Sequence, residues 1–185
     1  MSSSMKKKRV SPYLYERNGG YDDNYVIGLL ERTMTDIKIP NGTKKISSYA
    51  LSTKTLKSVD MPGSIERIDN GAFLNCQSLS LSKLPENLKI IGDQTFFGCM
   101  CISISKMPIN LQAIGVQAFA NCTGIKKVYF YSTPTLKAGP FVNCNNITDI
   151  YVPWSSGEVA NAPWGATNAT IHYNTVYGEN GEVIE

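Results

Sequence analysis

A single histidine, His172, stands in a chain of 185 residues. That scarcity rules out more chemistry than any other feature of the composition. No His-His pair is available to hold a catalytic metal, and a serine or cysteine nucleophile would have to take its base from His172 alone. There is no phosphate-cradling G-x-x-x-x-G-K, no G-x-G-x-x-G and no strained serine elbow. An enzyme is therefore the remotest of the readings, and no cofactor is expected. Metal chemistry is equally thin. Five cysteines are present, but the one close pair is Cys99-Met-Cys101, without the neighbouring ligands that structural metal sites use. No apolar run is long enough to cross a bilayer.

Charge of one sign is also scarce. The formal net charge is +3, and outside Lys6-Lys7-Lys8-Arg9 some 14 basic residues face 15 acidic ones. Four consecutive basic residues could touch nucleic acid or acidic lipid. A solvated terminal arm is the simpler reading, and nucleic acid is not an expected partner. The basic run leads into Val10-Ser11-Pro12-Tyr13 rather than an apolar core with a small-residue cleavage site, so no export signal is expected here.

What the chain has in abundance is repetition. Phenylalanines fall at 73, 96, 119 and 141 and cysteines at 76, 99, 122 and 144, with steps of 23, 23 and 22 in both series. Around them recur Ile65, Leu88 and Leu111, then Ile68, Ile91-Gly92 and Ile114-Gly115, then Ala72, Thr95 and Ala118, with Leu79, Ile102 and Ile125 after each cysteine. Fixed self-similarity at this period marks a solenoid, in which each unit buries its apolar face against its neighbours. The four phenylalanines should stack as one interior ladder. The four periodic cysteines should form another, reduced and buried, which leaves Cys101 as the accessible thiol.

The pattern P-x-x-L-x-x-I-G-x-x-A-F-x-x-C-x-x-L…L-P resembles the BspA-like class of leucine-rich repeats over about residues 35–153. The resemblance implies an α/β-class repeat solenoid, right-handed, with about five to six coils of 22–23 residues and short parallel strands on the concave side. It implies binding rather than reaction. Segments 22–40 and 153–173 are also similar to those flanking such repeats in tailed-phage and prophage proteins.

Five regions follow. Residues 1–21 read as a flexible basic arm and 22–34 as a helical N-terminal cap, with Asp22-Asp23-Asn24 capping a helix from Tyr25 to Arg32. Residues 35–153 are the solenoid, with Leu51 and Lys54 at the phenylalanine and cysteine positions of a degenerate first repeat. Residues 154–175 form a C-terminal cap around Trp154 and Trp164, read as an apolar plug over the last coil in preference to a sugar-stacking platform. Residues 176–185 are a free acidic tail.

Ligand contact is expected along the outward residues of successive strands, Lys38, Asp60, Lys83, Lys106, Tyr129 and Tyr151, a row passing from charged to aromatic. Protein or glycan is the expected ligand, and other virion proteins could engage the N-terminal arm. In two coils the expected apolar strand position is Ser82 or Ser105, with Leu81 and Ile104 one residue earlier. Those side chains are either turned inward by a bulge or exposed on the binding face. The resulting expectation is a non-enzymatic recognition or assembly module of a virion or its adsorption apparatus, found in the virion or the producing cell's cytoplasm. The alternative is a bacterial cell-surface adhesin.

Overall fold

The computed structural model describes residues 8–9, 14–18, 24–29, 32–177 and 182–184. It is a parallel-strand β-solenoid of about six turns, and the described residues contain no helix. Each regular turn contributes two short segments, so two ladders run along the molecule on different faces. The first ladder contains β4 (Asp36–Lys38), β6 (Ser58–Asp60), β10 (Lys127–Tyr129), β12 (Asp149–Tyr151) and β13 (Thr170–His172). The second contains β5 (Lys45–Ile46), β7 (Arg67–Ile68), β8 (Ile90–Ile91), β9 (Ala113–Ile114) and β11 (Thr135–Leu136).

The second ladder is unbroken and carries the N-terminal cap. β3 (Asn24–Leu29) pairs parallel with β5, and β2 (Leu14–Asn18) and β1 (Lys8–Arg9) add antiparallel strands outside it. The helix expected over Tyr25–Arg32 is therefore corrected to a strand over Asn24–Leu29. The sequence there contains adjacent β-branched Val26 and Ile27, and the open edge of β5 offers unpaired backbone groups to whatever segment comes next. Pairing with that edge outweighs the capping signal at Asp22–Asn24. Lys8–Arg9 and Leu14–Asn18 of the expected flexible arm are likewise strands, while Lys6 and Lys7 lie outside the described residues. The expected free tail is also revised, because β15 (Val183–Ile184) pairs antiparallel with β14 (Val176–Tyr177).

Between the ladders the period builds the core. Phe73, Phe96, Phe119 and Phe141 are fully buried. Their rings stack at 5.2, 5.3 and 5.6 Å with interplanar angles of 6°, 11° and 13°. Each buried aromatic side chain removes enough apolar area from water to contribute about 1.5–3 kcal/mol, before any gain from stacking. Beside them, the thiols of Cys76, Cys99, Cys122 and Cys144 donate to the carbonyls of Leu51, Phe73, Phe96 and Phe119 in the preceding turn, at 3.2, 3.0, 3.1 and 2.9 Å. Cysteine suits this position because it is small and apolar enough for the core and still supplies a donor, a second one for the carbonyls of Phe73, Phe96 and Phe119, which already accept the backbone N–H of Cys76, Cys99 and Cys122. Burial pushes the Cys122 thiol well above its ordinary range. Cys101 is the exposed thiol.

Gly92 and Gly115 end the isoleucine strands because adjacent turns touch there. A Cβ on Gly92 would lie 2.6 Å from the backbone nitrogen of Asn70, and one on Gly115 would lie 2.4 Å from that of Asp93. The backbone then turns through left-handed conformations at Gln94 and Gln117, with φ of 53° and 51°. At the far end, Trp154 and Trp164 close the core against Phe130, whose ring meets Phe141 edge-on.

The first ladder is broken in the middle. β4 pairs with β6, and β10, β12 and β13 pair with one another. Between them lies only an isolated bridge, Lys106 to Tyr129. The cause is one extra residue. From the inward strand residue to the following proline is three positions at Val59–Pro62 but four at Leu81–Pro85 and Ile104–Pro108. Leu81 and Ile104 still point inward, 8% and 0% exposed. The surplus residue therefore bulges outward through Ser82-Lys83 and Ser105-Lys106, and a bulge of this kind terminates pairing.

Candidate functional site

The six residues of the expected row fall in order along the first face, but in three different settings. Lys38 and Asp60 end paired strands and form a 3.6 Å ion pair exposed to water. Such a pair contributes little. Lys83 and Lys106 sit on the two bulges, both exposed, and among the described residues neither has an ion-pair partner. Tyr129 and Tyr151 end paired strands, with rings stacked at 4.7 Å and 5°.

The stack continues onto a residue that the sequence did not single out for this role. His172, opposite Tyr151 in the parallel register, lies 4.3 Å from its ring at 9°. The 22-residue step from Tyr129 to Tyr151 points to Tyr173. The chain between these turns is one residue shorter, so His172 takes the place. Its Nε2 lies 2.9 Å from Asp149 Oδ1, while Lys127 Nζ lies 3.3 Å from Oδ2 and the Thr148 hydroxyl donates at 2.8 Å. The hydrogen bonds from His172 and then Thr148, with Lys127 beside them, hold the Asp149 carboxyl at about 2.

Tyr177 of β14 closes this end. Its hydroxyl donates to the Tyr151 carbonyl at 3.2 Å and its ring lies 4.5 Å from that of Tyr131. Burial raises the Tyr177 phenol above its ordinary range. Beside the stack lies an open cleft of about 710 Å³ bounded by Lys106, Tyr129, Tyr151, His172, Asn174 and Glu182. Rings stacked face to face cover one another's π-surfaces and leave edges, phenol hydroxyls and the imidazole Nδ1 for a ligand, since Nε2 is held by Asp149. The arrangement suits directional hydrogen bonding more than the face-stacking by which aromatic platforms hold sugars. Trp154 and Trp164 present no platform either, being 3% and 1% exposed.

With this geometry in hand, the comparisons place the chain. The model of the BspA type leucine rich repeat region matches residues 44–162 in six copies. The chain belongs to this family. Solved structures agree on the fold of this BspA-type repeat protein. A leucine-rich repeat protein from Bacteroides ovatus superposes with a TM-score of 0.62 at 22% identity, over 78% of this chain and 47% of its own. The T. pallidum leucine rich repeat protein gives 0.72 at 20% identity, over 91% and 82%. A leucine rich cell surface protein from Faecalibacterium prausnitzii gives 0.56 at 21% identity, over 88% and 38%. The BspA-type chain thus spans less than half the length of two of these three. No curated protein matches it. The matching family is one of binding repeats and points to no enzymatic activity.

Proposed function

We propose that this BspA-type repeat protein is a non-enzymatic recognition module that binds a protein or glycan on its first face, anchored by Tyr129, Tyr151 and His172. One observation carries the reading. Among the described residues, three stacked aromatic side chains gather beside an open cleft on this face, whereas the ladder of the second face carries the ion-pair groups Lys44–Glu66–Lys89 and Lys45–Asp69–Arg67. Aromatic residues supply most of the binding energy at such surfaces. The test is to screen labelled protein on protein and glycan arrays and repeat the screen with variants. Tyr151→Ala and His172→Ala are expected to abolish the strongest signals, while alanines at Asp93, Gln94, Val116 and Gln117 leave them intact. The reverse result would place the ligand elsewhere.

Two settings suit such a module. The cell surface is supported by family habit and by the F. prausnitzii cell surface protein that shares the fold. The virion is supported by the resemblance of segments 22–40 and 153–173 to phage proteins, with the N-terminal strands as a contact for other virion proteins. Immunogold labelling of producing cells and of particles released from them separates the two.

A further inference from the structure

The two bulges are the same sequence twice, Leu81-Ser82-Lys83-Leu84-Pro85 and Ile104-Ser105-Lys106-Met107-Pro108. They stand on adjacent turns, so each feature of one is repeated beside itself. Between them lies an open groove of about 630 Å³, walled by Ser82, Lys83, Ser105 and Lys106, with Ile109 and Tyr131 at its margin. Three properties together suit it to a ligand.

The first is charge. Lys38 and Lys127 of the first face and Lys44, Lys45, Lys89 and Lys137 of the second each have a carboxylate partner, whereas Lys83 and Lys106, like Lys54 and Lys126 outside the groove, have none among the described residues; only in the groove do two such lysines stand on adjacent bulges. Glu86 also lines the groove and leaves it one positive charge in excess. The second is backbone. Among the described residues the N–H groups of Ser82, Lys83 and Ser105 donate to no acceptor, and neither serine hydroxyl is engaged. In a paired turn those groups would be consumed by the ladder. The third is apolar area, since Ile109 is 66% exposed at the margin.

Unused backbone groups in a strand-like segment are satisfied by another extended main chain, which offers both donors and acceptors. Unpaired lysines add a preference for carboxylates, and Ile109 accepts an apolar side chain. We propose that the groove between the two bulges binds an extended acidic segment of a partner polypeptide, with carboxylates on Lys83 and Lys106 and its main chain along Ser82 and Ser105. This rests on the reading that the first face is the binding face, and it names the partner's chemistry. A bulge that ends strand pairing thereby opens the site.

The experiment selects binders to the full chain from an mRNA-displayed library of random peptides about a dozen residues long. The selected peptides are then measured by fluorescence anisotropy. Enrichment in Asp and Glu is expected, with affinity falling at least about tenfold in Lys83→Glu/Lys106→Glu and declining as salt is raised. Lys54→Glu/Lys126→Glu makes the same change in net charge elsewhere and should leave affinity unchanged. All these lysines are exposed, so the variants should fold, which a thermal melt checks. No enrichment, no acidic bias, or equal binding to the Lys83/Lys106 variant overturns the groove while leaving the array test of the first face standing. Lysine-dependent binding of a sulfated oligosaccharide without peptide enrichment overturns the polypeptide assignment. Loss of peptide binding with the second-face alanines at Asp93, Gln94, Val116 and Gln117 overturns both readings.

Discussion

The two ladders of the solenoid are drawn from the same turns, yet one runs unbroken through its five strands, β5, β7, β8, β9 and β11, and the other is split into pieces of two and three. The unbroken ladder is held at an invariant two-residue strand, its isoleucines buried at Ile46, Ile68, Ile91 and Ile114, its glycines pressed against the preceding turn, and its lysines neutralised. The split ladder tolerates an added residue because its outer side faces solvent and only the inward side chain must stay in register. Stability is concentrated where the period is strict. The groups left over for a partner collect where the period slips.

The comparison can be broken most severely from the interior. Phe96 is stacked on both sides and fully buried, so Phe96→Ala is expected to cost about 3–5 kcal/mol. Urea denaturation measures this. A loss under about 1 kcal/mol would mean that the ladder is not where stability resides.

A smaller effect probes the thiol row. Cys122→Ala removes the donor to the Phe96 carbonyl and a buried sulfur. The Phe96 carbonyl keeps the Cys99 backbone N–H, so the expected cost is about 1–2 kcal/mol, from one net hydrogen bond and the lost packing of the sulfur. Thiol labelling checks the same row without mutation. Cys101 should react in the native state and the other four only after denaturation, and four fast-reacting thiols would contradict the buried row.

The smallest effect belongs to the charges of the unbroken face. Hydrogen bonds from Lys89 and then Lys44 lower Glu66 to about 2. A lowered carboxylate contributes stability that is fully present above its unfolded value and is lost as pH falls toward 2. Glu66→Gln should therefore cost less than about 1 kcal/mol at neutral pH, given the solvent exposure of the pair, and should flatten the acid limb of the stability curve. Unchanged acid sensitivity would show that the ion pairs of this face are ornamental.

Most of the solenoid could be read before its structure was seen. The period of Phe73, Phe96, Phe119 and Phe141 determined which side chains are interior, because a repeated turn must set the same residue against itself. The cysteine positions followed from the same period. The order of Lys38, Asp60, Lys83, Lys106, Tyr129 and Tyr151 along one face was equally legible, since each follows the inward residue of its turn by one position, or by two where the bulge adds a residue.

Other features were decided only by the tertiary structure. Residues Asn24–Leu29 carried helix-capping signals and became a strand because β5 presented an edge, a partner distant in sequence. His172 entered the aromatic stack because the last turn is one residue shorter, which shifts the place from Tyr173. Whether Leu81 and Ile104 faced in or out could not be settled from alternation, since a one-residue surplus reverses the expected side. Burial settled it: an isoleucine or leucine gains more in the core than one stretch of strand pairing loses at a solvated surface, where water replaces the missing partners. The sequence by itself determined the repeating interior, and three-dimensional packing decided where its regularity gives way to bulges and an open groove.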